Sequence, residues 1–100
     1  MKTRSKKYQD ELIKSLKDPL EAMAYLNAAL EEGESKLFLL ALRNVAEAHG
    51  GIALLSKKTR LNRESLYRTL SKKGNPELYS LNHILHALGL KIAVQVSDVT

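Results

Sequence analysis

The sequence has no cysteine and no long apolar run, and both absences narrow the function classes. Without cysteine the chain has no disulfide, no thiol nucleophile and no Cys-based zinc site. No apolar stretch approaches the roughly 18 residues of a membrane-spanning helix, and the charged start runs into polar sequence rather than a signal-peptide core. A chain of 100 residues, 44% of them apolar, predicts one globular domain. We expect a cytoplasmic protein without a membrane partner.

Signatures of catalysis are also missing. The chain has no nucleophile elbow, no phosphate-cradling glycine loop and no zinc-ligand spacing. His83 and His86 lie three residues apart, but neither His49 nor a nearby carboxylate completes a metal site with them. We therefore expect no catalytic residue, no metal and no cofactor, and predict that the protein is not an enzyme.

Acidic residues are scarce in the second half of the chain only. Residues 1–50 carry eight basic and eight acidic side chains, whereas residues 51–100 carry eight basic and three acidic ones, so the whole net charge of +5 belongs to the second half. Seven of those eight bases fall between positions 57 and 73. Such clustering is typical of a surface that meets a polyanion, and a solvated surface face is the alternative on charge alone.

Apolar spacing and turn signals predict a mainly helical domain. Asp18, Asn62 and Ser80 are predicted N-caps, and Gly33 and Gly89 are predicted helix ends. The predicted helices run over about residues 8–16, 19–32, 34–49, 52–58, 63–71 and 81–88. After them, alternation over residues 91–96 predicts a short strand with Ile92, Val94 and Val96 on one face.

The fourth and fifth predicted helices are separated by a tight turn. The second of them bears polar and basic residues outward, which suits reading of the DNA major groove, because that groove is about 12 Å wide and admits one helix. Residues 52–71 resemble the helix-turn-helix of Xre/Cro repressors, with Leu55, Leu61 and Leu66 in the positions that lock the two helices together.

A longer pattern strengthens the resemblance, which spans roughly residues 8–96. The chain is similar to the addiction module antidote family, the HigA-like antitoxins and their prophage-type relatives. The segments that carry the similarity are Asp18-Pro19, residues 25–33, residues 63–68, Gly74-Asn75-Pro76 and Leu88-Gly89-Leu90. The resemblance implies a lambda repressor-like domain of five to six helices with a short C-terminal β-strand. Together with the residue patterns, it predicts a flexible basic arm (1–7), an N-terminal helical extension (8–33), a helix-turn-helix core (34–90) and a C-terminal strand that joins a dimer (91–96).

The family resemblance implies a type II antitoxin that represses its own operon. Its partners would be double-stranded operator DNA, a RelE/ParE-like toxin and a second copy of the chain. Two alternatives remain open: a stand-alone prophage-type transcriptional regulator, and a toxin-masking protein whose DNA binding is secondary.

Individual residues of the basic segment receive separate roles. Arg63 and Arg68 are candidates for base or phosphate contacts, since a guanidinium matches guanine and phosphate acceptors. Asn62 is expected to cap its helix and touch DNA, while Tyr67 either contacts DNA or packs on a neighbouring turn. Lysines would attract phosphates without choosing sequence. The predicted DNA-binding set is Lys57, Asn62, Arg63, Glu64, Ser65, Tyr67, Arg68, Ser71, Lys72 and Lys73.

Two positions depart from the family pattern. Arg60 stands where glycine is usual in the turn, and a non-glycine residue in left-handed geometry costs on the order of 1 kcal/mol, so a local difference in the turn is expected. Arg60 is also a candidate phosphate contact. Ser56 replaces a small alanine, and its hydroxyl is expected to bond to a carbonyl of the preceding turn.

The predicted strand needs a partner, because an isolated strand leaves two edges of unpaired backbone groups. Antiparallel pairing of Ile92, Val94 and Val96 with the same strand of a second copy, about a two-fold axis, is one solution. Addition of the strand to the edge of a toxin sheet is the alternative.

Overall fold

A computed structural model describes residues 6–98, and six α-helices make up most of this part of the chain. This result confirms the prediction of a mainly helical domain. The helices are α1 (Lys6–Ser15), α2 (Pro19–Glu31), α3 (Ser35–Ala48), α4 (Gly51–Thr59), α5 (Arg63–Thr69) and α6 (Leu78–Ala87).

The boundaries of α2 follow from local chemistry, as predicted. The Asp18 carboxylate accepts a hydrogen bond from the Leu20 amide at 2.9 Å, and Pro19 occupies the first helical position, where no amide is needed. Gly33 ends the helix in left-handed geometry (φ 79°). The caps of α2 therefore fix where this helix begins and ends.

A Schellman motif ends α6. Gly89 adopts φ 81° and its amide donates to His86 O, while the amide of Leu90 donates to Leu85 O at 2.8 Å. These two bonds satisfy carbonyls that the last helical turn leaves without partners.

Two predicted helix starts were wrong. Helix α1 begins at Lys6, so Lys6 and Lys7 do not belong to a flexible arm, and the rest of that predicted arm, residues 1–5, lies outside the described residues. An exposed Lys6–Asp10 pair (3.6 Å), one helical turn apart, adds a little support there. The N-cap residue of α6 is Glu77, which makes no side-chain cap hydrogen bond, and not Ser80 as predicted. The first two residues of α6 are exposed and apolar, so periodicity did not reveal the first turn.

The core is built around α3 and α4. Helix α3 packs against α1, α2 and α4, and α4 also packs against α5 and α6. Leu42 and Val45 on α3 are fully buried, and Ile52 on α4 is nearly so. Burial of each such side chain contributes about 1.5–3 kcal/mol. The long apolar arc of α3 thus makes it the central helix of the domain.

A polar chain joins the first three helices. The Gln9 amide on α1 donates to Asn44 Oδ1 on α3 at 3.1 Å, and Asn44 Nδ2 donates to the Tyr25 hydroxyl on α2 at 2.8 Å. All three side chains are at least partly buried. The bonds fix the rotational setting of α1 and α2 on α3, which apolar packing alone leaves less well defined.

The predicted C-terminal strand does not form within this chain. Residues 91–98 have no regular secondary structure, and no strand occurs elsewhere in residues 6–98 that could pair with them. Val94 and Val96 are 93% and 98% exposed. A strand is defined by backbone hydrogen bonds to a neighbour, so this segment becomes one only with a partner from another chain.

Among residues 6–98 no single helix is long and apolar enough to cross a membrane. Helices α3 and α4 together have the length and apolar composition of a broken span, although they are bent by 94° to one another.

Candidate nucleic-acid interface

The turn between α4 and α5 has left-handed geometry although its key residue is not glycine. Arg60 adopts φ 63° and ψ 19°, and among residues 6–98 it alone combines a side chain with a positive φ. Its amide donates to Ser56 O at 2.7 Å and closes the last turn of α4. The turn therefore keeps the geometry that glycine would give, at an expected cost of about 1 kcal/mol.

Two hydroxyl groups hold this turn together. Ser56 Oγ donates to Leu61 O at 2.6 Å, across the turn rather than to the preceding helical carbonyl as predicted. The buried Thr59 hydroxyl donates to Leu55 O at 2.8 Å and accepts from the Leu61 amide at 3.1 Å. Leu61 thus has both backbone groups bonded to side chains of α4, which fixes the direction in which α5 leaves the turn.

The start of α5 is capped as predicted. Asn62 is extended, and its Oδ1 accepts from the Ser65 amide at 3.2 Å. Leu55 and Leu66 belong to the buried core, and Leu61 packs against that core. The three leucines that were expected to lock α4 and α5 together therefore lie where that role requires.

A basic surface surrounds this helix pair. Arg63 occupies the first position of α5 and Arg68 lies in its last turn, and both side chains are exposed. Within residues 6–98, no basic side chain of this segment forms a salt bridge. The exposed basic residues of the segment are Lys57, Lys58, Arg60, Arg63, Arg68, Lys72 and Lys73.

The polar members of the predicted set occupy different positions. Glu64 is exposed in the first turn of α5, whereas Ser65 is half-buried and its hydroxyl makes a long contact (3.5 Å) to Arg68. Ser71 lies beyond the end of α5 at Thr69, so its predicted place on the helical face was wrong. Its Oγ donates to Arg68 O at 2.6 Å and accepts from the Lys73 amide, which shapes the basic loop.

Sequence reasoning missed one contact to α5. The Arg43 guanidinium of α3 lies over the ring of Tyr67, 5.0 Å from its centroid. An arginine at this distance is attracted by the aromatic face, with about 0.5–1 kcal/mol at an exposed site. The two residues are far apart in sequence and neither belongs to a recognisable motif. Tyr67 thus packs on a neighbouring element and still exposes about half of its surface.

The basic loop after α5 is held close to the helix end by Gly74. A Cβ atom at this position would collide with the Thr69 carbonyl and press on a methyl group of Leu39. Glycine is needed here for close approach, not for an unusual φ. The loop that carries Lys72 and Lys73 is therefore folded back against α5 and α3.

The histidines have structural contacts. His83 of α6 hydrogen-bonds to Thr59 O at 3.0 Å and stacks on Tyr79, and His49 bonds to Leu16 O at 3.1 Å. In residues 6–98, no group of three or more histidine, aspartate or glutamate side chains is arranged to hold a metal ion.

Residues 6–98 form six helices, and α4 and α5, joined by a tight turn, carry exposed basic residues that make this pair a candidate nucleic-acid interface. Comparison with known proteins supplies the family. Residues 7–96 match the family model described as "Probable addiction module antidote protein", and the chain belongs to this antidote family. A protein of Haemophilus influenzae strain Rd, described as uncharacterized, is 35% identical over 77 residues, which cover 77% of this chain and 78% of that protein. No solved structure matches the chain significantly. Membership suggests an antitoxin role in a toxin–antitoxin module, and family members are typically regulators without enzymatic activity.

Proposed function

We propose that this antidote protein is a type II antitoxin that also binds the operator of its own operon and represses it. The observation that carries the DNA-binding part is the α4–turn–α5 pair: α5 is fixed by the Asn62 cap and by a buried Leu66, and its outer face presents Arg63 and Arg68. A helix supported in this way can enter the major groove while the preceding helix rests near the backbone.

Roles within the interface follow from position and chemistry. Arg63, at the start of α5, is assigned to base reading, because the N-terminal residues of a recognition helix reach the base edges. The lysines of the interface, Lys57, Lys72 and Lys73, are assigned to phosphates, which gives affinity without sequence choice. The exposed part of the Tyr67 ring is assigned to DNA contact, since the Arg43 guanidinium covers one face of that ring.

The remaining partners are a RelE/ParE-like toxin and a second copy of the chain. Antidote-family membership supports the toxin and favours an antitoxin over a stand-alone regulator. The exposure of Val94 and Val96, two β-branched apolar residues with no packing partner in the described chain, supports a dimer joined through residues 91–96. Two recognition helices about 34 Å apart would then read an inverted repeat.

Salt dependence of DNA binding tests the proposal. Fluorescence anisotropy with the native upstream DNA should show affinity falling steeply with salt, with a slope of about −0.9 in log K for each neutralised phosphate. Scrambled DNA of equal length is the control. Equal affinity for the two DNAs, or an affinity that does not change with salt, would contradict operator recognition. The remaining proposed function would then be binding of the toxin.

The dimer seam has its own test. Val94→Pro removes a donor from the proposed antiparallel ladder, so light scattering should change from dimer to monomer. Val94→Thr is the matched control, because it keeps the amide and the β-branched shape. A free wild-type monomer, or a dimer unaffected by proline, would rule out this seam.

A further inference from the structure

Helix α2 carries an apolar stripe that nothing in the described chain covers. Leu20, Met23 and Leu30 are exposed, Leu20 and Leu30 by 69% and 56%. Their spacing of three and seven residues, with Asn27 between them, places them along one side of the helix. An adjacent side of the helix is already used, since Ala22 and Leu26 are buried in the core against α3.

An extended row of this kind differs from scattered surface leucines, which need no explanation. An amphipathic helix of a small domain normally turns polar residues to solvent. Helix α2 instead exposes leucine, methionine and alanine residues in addition to the Ala22 and Leu26 that it buries, and Ala24 and Ala28 are among the exposed ones. Contiguous exposed apolar residues with a polar rim mark interaction surfaces.

The charged residues from Asp18 to Glu34, a range that includes all of α2, are acidic. Residues 18–34 contain five acidic side chains and no basic one, in a chain whose net charge is +5. The acidic side chains are Asp18, Glu21, Glu31, Glu32 and Glu34. All five are exposed, and within residues 6–98 none of them takes part in a salt bridge.

Helix stability does not explain the carboxylates at the far end of α2. Glu31 and Glu32 lie at the C-terminus of the helix, where the helix dipole favours cations, and no basic residue is present in that last turn. Their placement opposes the dipole. An external positive partner would turn this local disadvantage into a favourable contact.

We infer that the outer face of α2 is the docking surface for the toxin, and that it fits a basic protein with an apolar groove rimmed by lysine or arginine. This inference rests on the proposed antitoxin function. A second copy of the same face is disfavoured, because a two-fold contact would bring carboxylates of like charge together. The pattern corresponds to helix-in-groove recognition, with Leu20, Met23 and Leu30 as anchors.

The first arm of the experiment measures the apolar anchors. The full-length protein is titrated by calorimetry with the purified product of the adjacent reading frame. Leu20→Gln combined with Leu30→Gln should weaken binding at least tenfold, while glutamine keeps the helix propensity of leucine. Leu78→Gln is the matched control, because Leu78 is 70% exposed but lies on α6. The Leu78→Gln protein should bind the toxin with wild-type affinity.

The second arm measures charge. Glu31→Gln with Glu32→Gln should weaken binding severalfold at low salt and flatten its salt dependence, whereas Glu11→Gln with Glu77→Gln should not. Unchanged affinity in the α2 variants, or equal loss in their controls, would overturn the inference while leaving the antitoxin function intact. No binding by the wild-type protein would overturn both.

Two further readouts distinguish the α2 surface from the proposed DNA interface and from the proposed dimer seam. Operator affinity should be the same in Leu20→Gln/Leu30→Gln as in wild type, which also shows that the variant is folded. Light scattering gives the second readout. If Leu20→Gln/Leu30→Gln were a monomer while the wild type and Leu78→Gln were dimers, the stripe would be an interface between two copies and the inference would be wrong.

Discussion

Helix α2 and the α4–α5 pair differ in charge, in surface chemistry and in how they are held. The segment around α2 is acidic and exposes leucine and methionine, whereas the segment from 57 to 73 exposes seven basic residues and one acidic residue, Glu64. Helix α2 packs chiefly on α3, while α5 packs chiefly on α4. The net charge of +5 thus combines two exposed segments of opposite sign, which we propose bind different macromolecules.

The largest expected effect compares how much a buried side chain of α5 and an exposed side chain of α2 contribute to stability. Leu66→Ala removes a fully buried side chain that links α5 to the core, and should lower the free energy of unfolding by about 2–5 kcal/mol. Leu20→Ala, on the exposed face of α2, should change it by less than about 0.5 kcal/mol. Urea unfolding followed by circular dichroism measures both. Similar losses would mean that Leu20 is packed and that the contrast between the helices is wrong.

A second prediction sharpens the comparison on the basic side. Arg63→Ala should cost about 1–3 kcal/mol on the operator and relax base preference at one position, because a base contact is lost. Lys72→Ala should weaken all DNA about equally and reduce the salt slope by about 1. Anisotropy on operator and scrambled DNA distinguishes them. Both variants should neutralise the toxin like wild type in a co-expression growth assay, and failure of rescue by a folded Arg63→Ala protein would mean that DNA and toxin share a surface.

The two regions also differ in how far the sequence predicted them. The N-caps Asp18 and Asn62 were confirmed, since each uses a local hydrogen bond between residues two or three apart. The positions of Leu55, Leu61 and Leu66 were expected from the resemblance to Xre/Cro repressors. The cap of α6 did not, because its first turn has exposed apolar residues and no side-chain hydrogen bond at Glu77.

Contacts between distant residues were beyond sequence reasoning. Arg43 over Tyr67 depends on how α3 crosses α5, and the Gln9–Asn44–Tyr25 chain depends on three helices at once. The acidic residues around α2 are evident in the sequence, but apolar residues on several sides of this helix do not reveal which side is buried. The C-terminal strand stays a prediction, because its partner would lie in another chain.

A third prediction compares the two helix caps. Asn62→Ala and Asp18→Ala should each lower the free energy of unfolding by about 1 kcal/mol. Each substitution removes the side-chain hydrogen bond to an amide in the first turn of a helix, and that amide has no other partner within the helix. Asn62→Asp should preserve stability and yet weaken DNA binding, because it adds a negative charge where phosphates approach. Thermal unfolding and anisotropy provide the two readouts. Unchanged DNA affinity in Asn62→Asp would place this end of α5 away from the groove.

The smallest effect concerns Arg60, where stability and DNA binding are expected to move in opposite directions. Arg60→Gly relieves left-handed geometry (φ 63°), a gain of about 1 kcal/mol that the greater freedom of unfolded glycine partly offsets, so the net gain should be about 0.5 kcal/mol. Arg60→Ala removes the same charge but keeps the positive φ, and should show no gain in stability. If Arg60 contacts a phosphate, both variants should lose the same affinity and the same part of the salt slope. Stabilisation by glycine without any loss of DNA affinity would mean that Arg60 contributes neither to the stability of the turn nor to DNA binding.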